Sequence, residues 1–298
     1  MAVAASRQSP TPVRAERSLF TRLFDDAAVF PPGNAPLPEA LASHRALRAG
    51  PYAALVGPLL VPAASVAGLV ALLDGRSEPV RVAVVARPGV GAAEVVAAVS
   101  TAAGTPVEVV GLEVGAASGW RDLLGLGVPL TVEVPRADDG QARIVAGLAG
   151  ATGSTPVQAK LRTGPTPAWP WPDETEVAGF IRAAVDHDLG FKLTGGLHHA
   201  VRGTYAASGP ASAGPAEEQH GLLNVLAAVR WALNGEEAPA MAELLAERDT
   251  AALVATVERM STADAAVTRA FFTAYGCCGV TDPIGELIAL DLLEDSPG

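Results

Sequence analysis

VQAKLRTG at residues 157–164 and GFKLTGG at residues 190–196 are two versions of one phrase, and the architecture follows from how they are joined. Each is a short apolar run with one lysine followed by leucine, and each ends in Thr-Gly, where a buried strand gives way to a loop. Between them, Asp173 stands three residues ahead of Glu176 at the head of a helix-periodic segment over 173–188. That is the spacing of an N-cap and capping box. Strand, helix, strand in this span implies a parallel pair with a crossover.

Working outward, similar runs occur at 25–30 (DDAAVF), 53–61 (AALVGPLLV), 80–87 (VRVAVVAR), 107–114 (VEVVGLEV) and 129–135 (PLTVEVP), and once more at 271–279 (FFTAYGCCG). Helix-sized segments separate most of them. The last helix is predicted from TDPIGEL, with Asp282 as cap and Pro283 at the first helical position. Alternating strands and helices are satisfied by an open doubly wound sheet or a closed barrel. Eight units in 298 residues favour a single (β/α)8 TIM-like barrel of the α/β class. The interval 197–270 is too long for one connection and predicts a Gly/Ala/Ser/Pro-rich loop at 203–219 followed by two helices. No composition break marks a second domain, so a flexible polar leader is expected at 1–17 and the barrel over 18–298.

The formal net charge of -11 opposes binding to nucleic-acid backbones or anionic lipid surfaces, both of which need broad basic patches. Residues 1–18 have no apolar segment of signal-peptide type. The window 52–73 is apolar enough to imitate a membrane span, but Pro58, Pro62 and Ser65 divide it into a strand and a Ser-capped helix. The two cysteines, Cys277 and Cys278, are adjacent; they build neither a zinc site nor a disulfide framework, and read as a buried strand pair in a cytoplasmic protein. Homo-oligomerisation is left open.

The chain has nineteen arginines and two lysines, Lys160 and Lys192, both in the repeated phrase. Alternate strand residues share a face, so Lys160 goes with Arg162 and Lys192 with Thr194. On neighbouring barrel strands the two amines would enter one interior at the carboxyl ends, the active-site face of such barrels. An inward amine beside a second cation is expected to have a depressed pKa and to become nucleophilic; arginine cannot do this. The alternative is two lysines that snorkel to solvent.

The order of these segments resembles the class I deoxyribose-phosphate aldolase family, a barrel with a Schiff-base lysine on its sixth strand and a second lysine on its seventh, before a Gly-Gly pair. The resemblance spans about residues 25–290 through short motifs: VQAKLRTG in sixth place, GFKLTGG in seventh, GCCGV at the eighth strand end. It implies imine formation without a cofactor at Lys160, with Lys192 depressing its pKa. It also implies anion contacts from Gly195, Gly196, Gly276 and the helix near Pro283. Arg162 departs from the small polar residue of the family and would crowd the site or bind a substrate carboxylate. For the family's acidic proton shuttle the chain offers Glu113, with Glu133 as a substitute. FDDAAVFPPGNAPLPEAL, AKLRTG, FKLTGGLHH and HGLLN together also resemble an uncharacterised bacterial family of barrel-like proteins, which implies no reaction.

The aldolase resemblance does not explain LHHAVR. His198, His199 and Arg202 follow the seventh strand, and His220 with Asn224 opens a later helix; these could move protons or hold an anion, or be structural. A metal held by one of the paired histidines, His220 and Glu133 matches no known spacing and is opposed by the lysines. Asp25 and Asp26 could supply an acid or form an exposed turn. Trp169 and Trp171 could wall a pocket or pack a Pro-rich loop. The cluster of Lys160, Arg162, Lys192, His198, His199 and Arg202 in an acidic chain predicts a small anionic substrate. The expectation is a class I aldolase-like carbon–carbon lyase acting on a carbonyl compound. The rivals are a His-centred lyase, isomerase or hydrolase, with or without a metal, and a non-catalytic binder of an anionic small molecule.

Overall fold

The computed structural model describes residues 16–294, apart from 76, 88, 118, 137–139, 152, 167–168 and 207–215. Strands β1 (Phe24–Asp26), β2 (Val56–Pro62), β3 (Val80–Val85), β4 (Val107–Gly115), β5 (Leu130–Glu133), β6 (Val157–Arg162) and β7 (Phe191–Thr194) follow one another in sequence. A short antiparallel hairpin, β8 (Gly203–Tyr205) with β9 (Glu217–Gln219), stands apart from them, and β10 (Phe272–Cys277) returns to the sheet. The eight barrel strands are parallel and closed in the order β1-β10-β7-β6-β5-β4-β3-β2. This is the predicted (β/α)8 barrel.

The crossovers are α1 (Leu37–Ala49), α2 (Val66–Leu72), α3 (Ala92–Ala102), α4 (Gln141–Ala149) and α5 (Glu174–Asp186). Between β4 and β5 only a 3-10 stretch, Trp120–Leu126, makes the crossing. Asp173 caps α5 by accepting the N–H of Glu176, a contact worth ~1 kcal/mol. The core lies between barrel and helices: Phe180 of α5 meets Phe191 of β7 edge-on at 5.4 Å, and Phe191 stacks on Phe272 of β10 at 5.6 Å.

The apolar window at 52–73 resolves into β2, a 3-10 turn and α2; Ser65 stands at the N-cap position of α2 but makes no side-chain capping bond. No helix among the described residues is long and apolar enough to cross a membrane. The interval 197–270 differs from expectation. Its described residues hold the β8–β9 hairpin and four helices, α6 (Leu222–Leu233), α7 (Ala238–Ala246), α8 (Thr250–Glu258) and α9 (Thr262–Phe271). The stops were in the sequence: Asp249 caps α8, and Ser261 with Asp264 forms a capping box on α9. Helix α6 is apolar nearly all round because it packs against α5, α7, α8 and α9.

Helix α10 (Thr281–Ala289) begins with Val280 at its N-cap, which puts Asp282 and Pro283 inside the first turn and frees the Asp282 side chain for another contact. Most of the predicted leader lies outside the described residues. Its last two positions belong to the fold: Glu16 caps the 3-10 turn Arg17–Leu19 and accepts a bond from Thr262 of α9.

Candidate active site

A cavity of about 910 Å³ opens at the carboxyl ends of the barrel strands, the face on which such barrels carry their sites. Its floor is charged. The register sets Glu133 of β5 beside Lys160 of β6, and Lys160 beside Lys192 of β7. Glu113 of β4 reaches between the two amines. The Lys160 ammonium donates to Glu113 Oε2 at 3.0 Å and pairs with Glu133 Oε2 at 2.8 Å. Lys192 donates to Glu113 Oε1 and to Asp25 Oδ2 of β1, while Arg162 Nε reaches Glu133 Oε1 at 3.3 Å. The result is a continuous row of alternating sign: Asp25, Lys192, Glu113, Lys160, Glu133, Arg162. Gly57 of β2 leaves room for it, since a Cβ there would fall 1.8 Å from Asp25 Oδ1.

Four members of the row, Glu113, Glu133, Lys160 and Arg162, line the cavity, whereas Asp25 and Lys192 do not reach its wall. Lys160 is therefore the amine that a ligand in the cavity can touch. Burial opposes the charge on every group in the interior, and the outcome depends on partners. For Glu113, burial pushes the carboxyl up, but Lys192 and Lys160 outweigh it and hold the group at about 2. Burial likewise works against both ammonium groups, yet Lys192, facing Asp25 and Glu113, is raised, as is Lys160, facing Glu113 and Glu133. Asp25 is raised, because its burial exceeds the help from Lys192. Partial burial works against the charge on half-buried Glu133 as well, but Lys160 and Arg162 bring it below its ordinary value.

The expected depression of the Lys160 pKa by Lys192 is thus not found. The cause is Glu113, which lies between the amines and turns a like-charge pair into two ion pairs. In the resting state both lysines are ammonium ions.

Around this floor, Thr194, Gly195, Gly196 and Gly276 form one wall. Gly195 and Gly196 have φ of +74° and +75°, a left-handed turn that disfavours side chains, and a Cβ on Gly196 would fall 2.1 Å from the Trp171 ring. Trp171 thus packs on the Gly-Gly turn, and Trp169 lines the cavity itself. Arg136, also on the wall, is held by both carboxylate oxygens of Glu176. Arg87, just past β3, lies over the Phe30 ring at 5.3 Å, with no carboxylate partner among the described residues. On the eighth-strand side, His198 and Cys278 line the cavity, with Cys278 Sγ 3.6 Å from His198 Nε2 and Asp282 Oδ2 3.4 Å from His198 Nδ1.

The other sequence candidates stand apart from this cavity. His199 stacks on Tyr205 at 3.3 Å and pairs through Nδ1 with Glu286 at 2.6 Å. Arg202 binds Glu174 at 2.6 Å beside the β8–β9 hairpin. Fully buried His220 meets the Pro172 carbonyl through Nε2 at 2.8 Å. Asn224, also fully buried, accepts the N–H of Arg202 and donates to the carbonyls of Leu244 and Glu247, tying the loop after β7 to the end of α7. These four polar groups, open in the sequence between a substrate role and a structural one, are therefore fixed to the frame by partners on α5, α7, α10 and the loop before α5. The conceivable metal set of a paired histidine, His220 and Glu133 is not assembled, and no group of three or more His, Cys, Asp or Glu among the described residues is arranged to hold a metal. Asp26 points out of the barrel to His44 of α1, at 3.0 Å.

Sequence reasoning missed Arg87 and gave Cys278 no role. Both stand just past a strand's carboxyl end, the same positional rule that singled out the lysines. No family model matches the chain, and no curated protein or solved structure proved similar to it.

Proposed function

We propose that the protein is a cytoplasmic enzyme that forms an imine between Lys160 and a small anionic aldehyde or ketone, and makes or breaks the adjacent carbon–carbon bond. The observation that carries this is the position of Lys160: a single cavity-facing amine between two carboxylates, over a second lysine that holds one of them ionised. The row, buried from Asp25 to Lys160 and partly exposed at Glu133 and Arg162, is neutral at rest, with three cations and three carboxylates. A protonated imine on Lys160 keeps the charge of the ammonium it replaces, so the covalent intermediate costs the interior no new unpaired charge. An amine without such partners would lack this property.

Proton movement falls to Glu133. Glu113, held at about 2 by the two lysines, remains a fixed anion that orients both amines. Glu133 is the half-buried partner, in contact with the cavity and 2.8 Å from Lys160 Nζ. It takes one proton from the ammonium as the carbonyl carbon arrives and gives it to the carbinolamine oxygen, then takes a second from the same nitrogen and passes it to that oxygen as water leaves, so both hydrogens of the water come from Nζ. An ammonium offers three N–H donors and a protonated imine one, so the finished imine keeps its bond to Glu113 and leaves Glu133 free for proton transfer in the carbon–carbon step. The imine then draws electrons from the neighbouring carbon. Arg87, without a carboxylate partner among the described residues, is the cation offered to the substrate's carboxylate or phosphate, and the Gly195–Gly196 turn admits it closely from the opposite wall.

The test is reductive trapping with small aldehydes, ketones and 2-oxo acids, using borohydride and peptide masses. With two lysines in the chain, an adduct on Lys160 that is lost in Lys160→Arg is the expected result. No adduct beyond the N-terminal amine would overturn the reading. A second reading, acid/base catalysis centred on His198, is favoured by the presence of that imidazole on the same wall. It predicts turnover without a trapped adduct, abolished in His198→Gln.

A further inference from the structure

The end of the eighth barrel strand carries an arrangement that imine chemistry does not use. His198, 5% exposed, presents its two ring nitrogens to different partners: Nε2 to Cys278 Sγ at 3.6 Å, and Nδ1 to Asp282 Oδ2 at 3.4 Å, with Cys277 Sγ further off at 3.8 Å. A thiol at one imidazole nitrogen and a carboxylate at the other is the constellation that activates a nucleophilic cysteine. The backbone is shaped to allow it. A Cβ on Gly279 would fall 2.4 Å from Asp282 Oδ2, so only glycine there admits the carboxylate.

The adjacent cysteines differ. Cys277 is 2% exposed, its S–H is directed to the Gly279 carbonyl at 3.3 Å, and burial pushes its thiol up in spite of His198. Cys278 is half-buried and lines the cavity. Burial works against charge on His198, yet the bonds to Asp282 and the two sulfurs raise its pKa, which favours the imidazolium that a thiolate needs beside it.

We propose that Cys278 is a second nucleophile of the cavity: a thiol activated by His198, itself oriented by Asp282, that captures the carbonyl carbon of a small anionic aldehyde as a thiohemiacetal. The thiolate sulfur forms a bond to the carbonyl carbon, the π electrons pass to the carbonyl oxygen, and that oxygen takes the Nε2 proton of His198, leaving neutral imidazole. The step needs no oxidant and no leaving group, and it reverses by the same path. It rests on the Lys160 reading only for the anionic carbonyl class of the ligand; the thiol activation stands without it.

The experiment is alkylation of the full-length protein by iodoacetamide over a range of pH, with peptide masses distinguishing Cys277 from Cys278. At about pH 6, Cys278 is expected to react at least about tenfold faster than free cysteine, with Cys277 slower than both. His198→Gln should return Cys278 to the pH profile of free cysteine. A wild-type Cys278 that already follows that profile, or a Cys277 that reacts equally fast, overturns the activation, and this needs no variant. Glyoxylate should slow alkylation of Cys278 in the wild type and in Lys160→Arg, while glycolate, similar in size and charge but without an aldehyde, should not. Equal effects of the two, or none, overturn the capture. Failure of the imine reading is scored separately, because borohydride marks Lys160 and leaves a thiohemiacetal cysteine at its original mass.

Discussion

Replacing Glu113 by Gln removes the one carboxylate that serves both lysines. The side chain is nearly isosteric, so packing changes little, but the row keeps two carboxylates against three cations. The magnitude follows from the carboxyl itself. It is held at about 2, against an ordinary value of 4.5, and a difference of about 2.5 pH units corresponds to ~3 kcal/mol of folding stability. Breaking a buried pair by removing one partner costs about 3–5 kcal/mol, which is consistent. Because the folded-state value lies below the unfolded one, this stability is complete above about pH 4.5 and is lost as pH falls through about 2. Urea unfolding of wild type and Glu113→Gln should therefore differ by ~3 kcal/mol at neutral pH. The gap should close by about 1.4 kcal/mol for each pH unit below about 4.5, because the protonated wild-type acid resembles the amide. A loss below ~1 kcal/mol at neutral pH, or a gap unchanged near pH 3, would refute Glu113 as the ionised bridge between the lysines.

Three further outcomes are expected. The rate of reductive trapping at Lys160 should climb by about tenfold per pH unit across the neutral range without a plateau, because Glu113 and Glu133 raise the ammonium's pKa despite its burial; a plateau near neutrality would show a depressed amine instead. Asn224→Ala should cost ~3 kcal/mol in urea or several degrees in Tm, since it strands buried carbonyls and the Arg202 N–H, while trapping at Lys160 in the folded fraction stays at the wild-type rate; lost trapping there would return Asn224 to the ligand. Arg87→Ala should weaken the apparent affinity for anionic carbonyl compounds about tenfold and leave that for neutral aldehydes unchanged, read from the concentration dependence of trapping; an equal effect on both would make Arg87 a packing residue on Phe30.

Much of this molecule was legible before folding, and the legible part is local. The strand at VQAKLRTG, its partner at GFKLTGG and the Asp173 cap between them depend on near neighbours in sequence, and the alternation of such units leaves a parallel barrel as the arrangement that buries every strand. The bias to arginine made the two lysines conspicuous, and the strand period put both inside. What the sequence could not decide was which charges the closed barrel would bring to each amine. Asp25, Glu113 and Lys192 lie far apart in the chain and meet only because β1, β4 and β7 converge on one interior, so the sign of the lysine pKa shift was settled by closure and came out opposite to the expectation. The histidines divide for the same reason. His198 and His199 are neighbours in sequence, but one turns to the cavity and Asp282 and the other to Tyr205 and Glu286. Residue type and spacing determined the elements and the candidates; proximity across the barrel, which no local pattern encodes, selected among them.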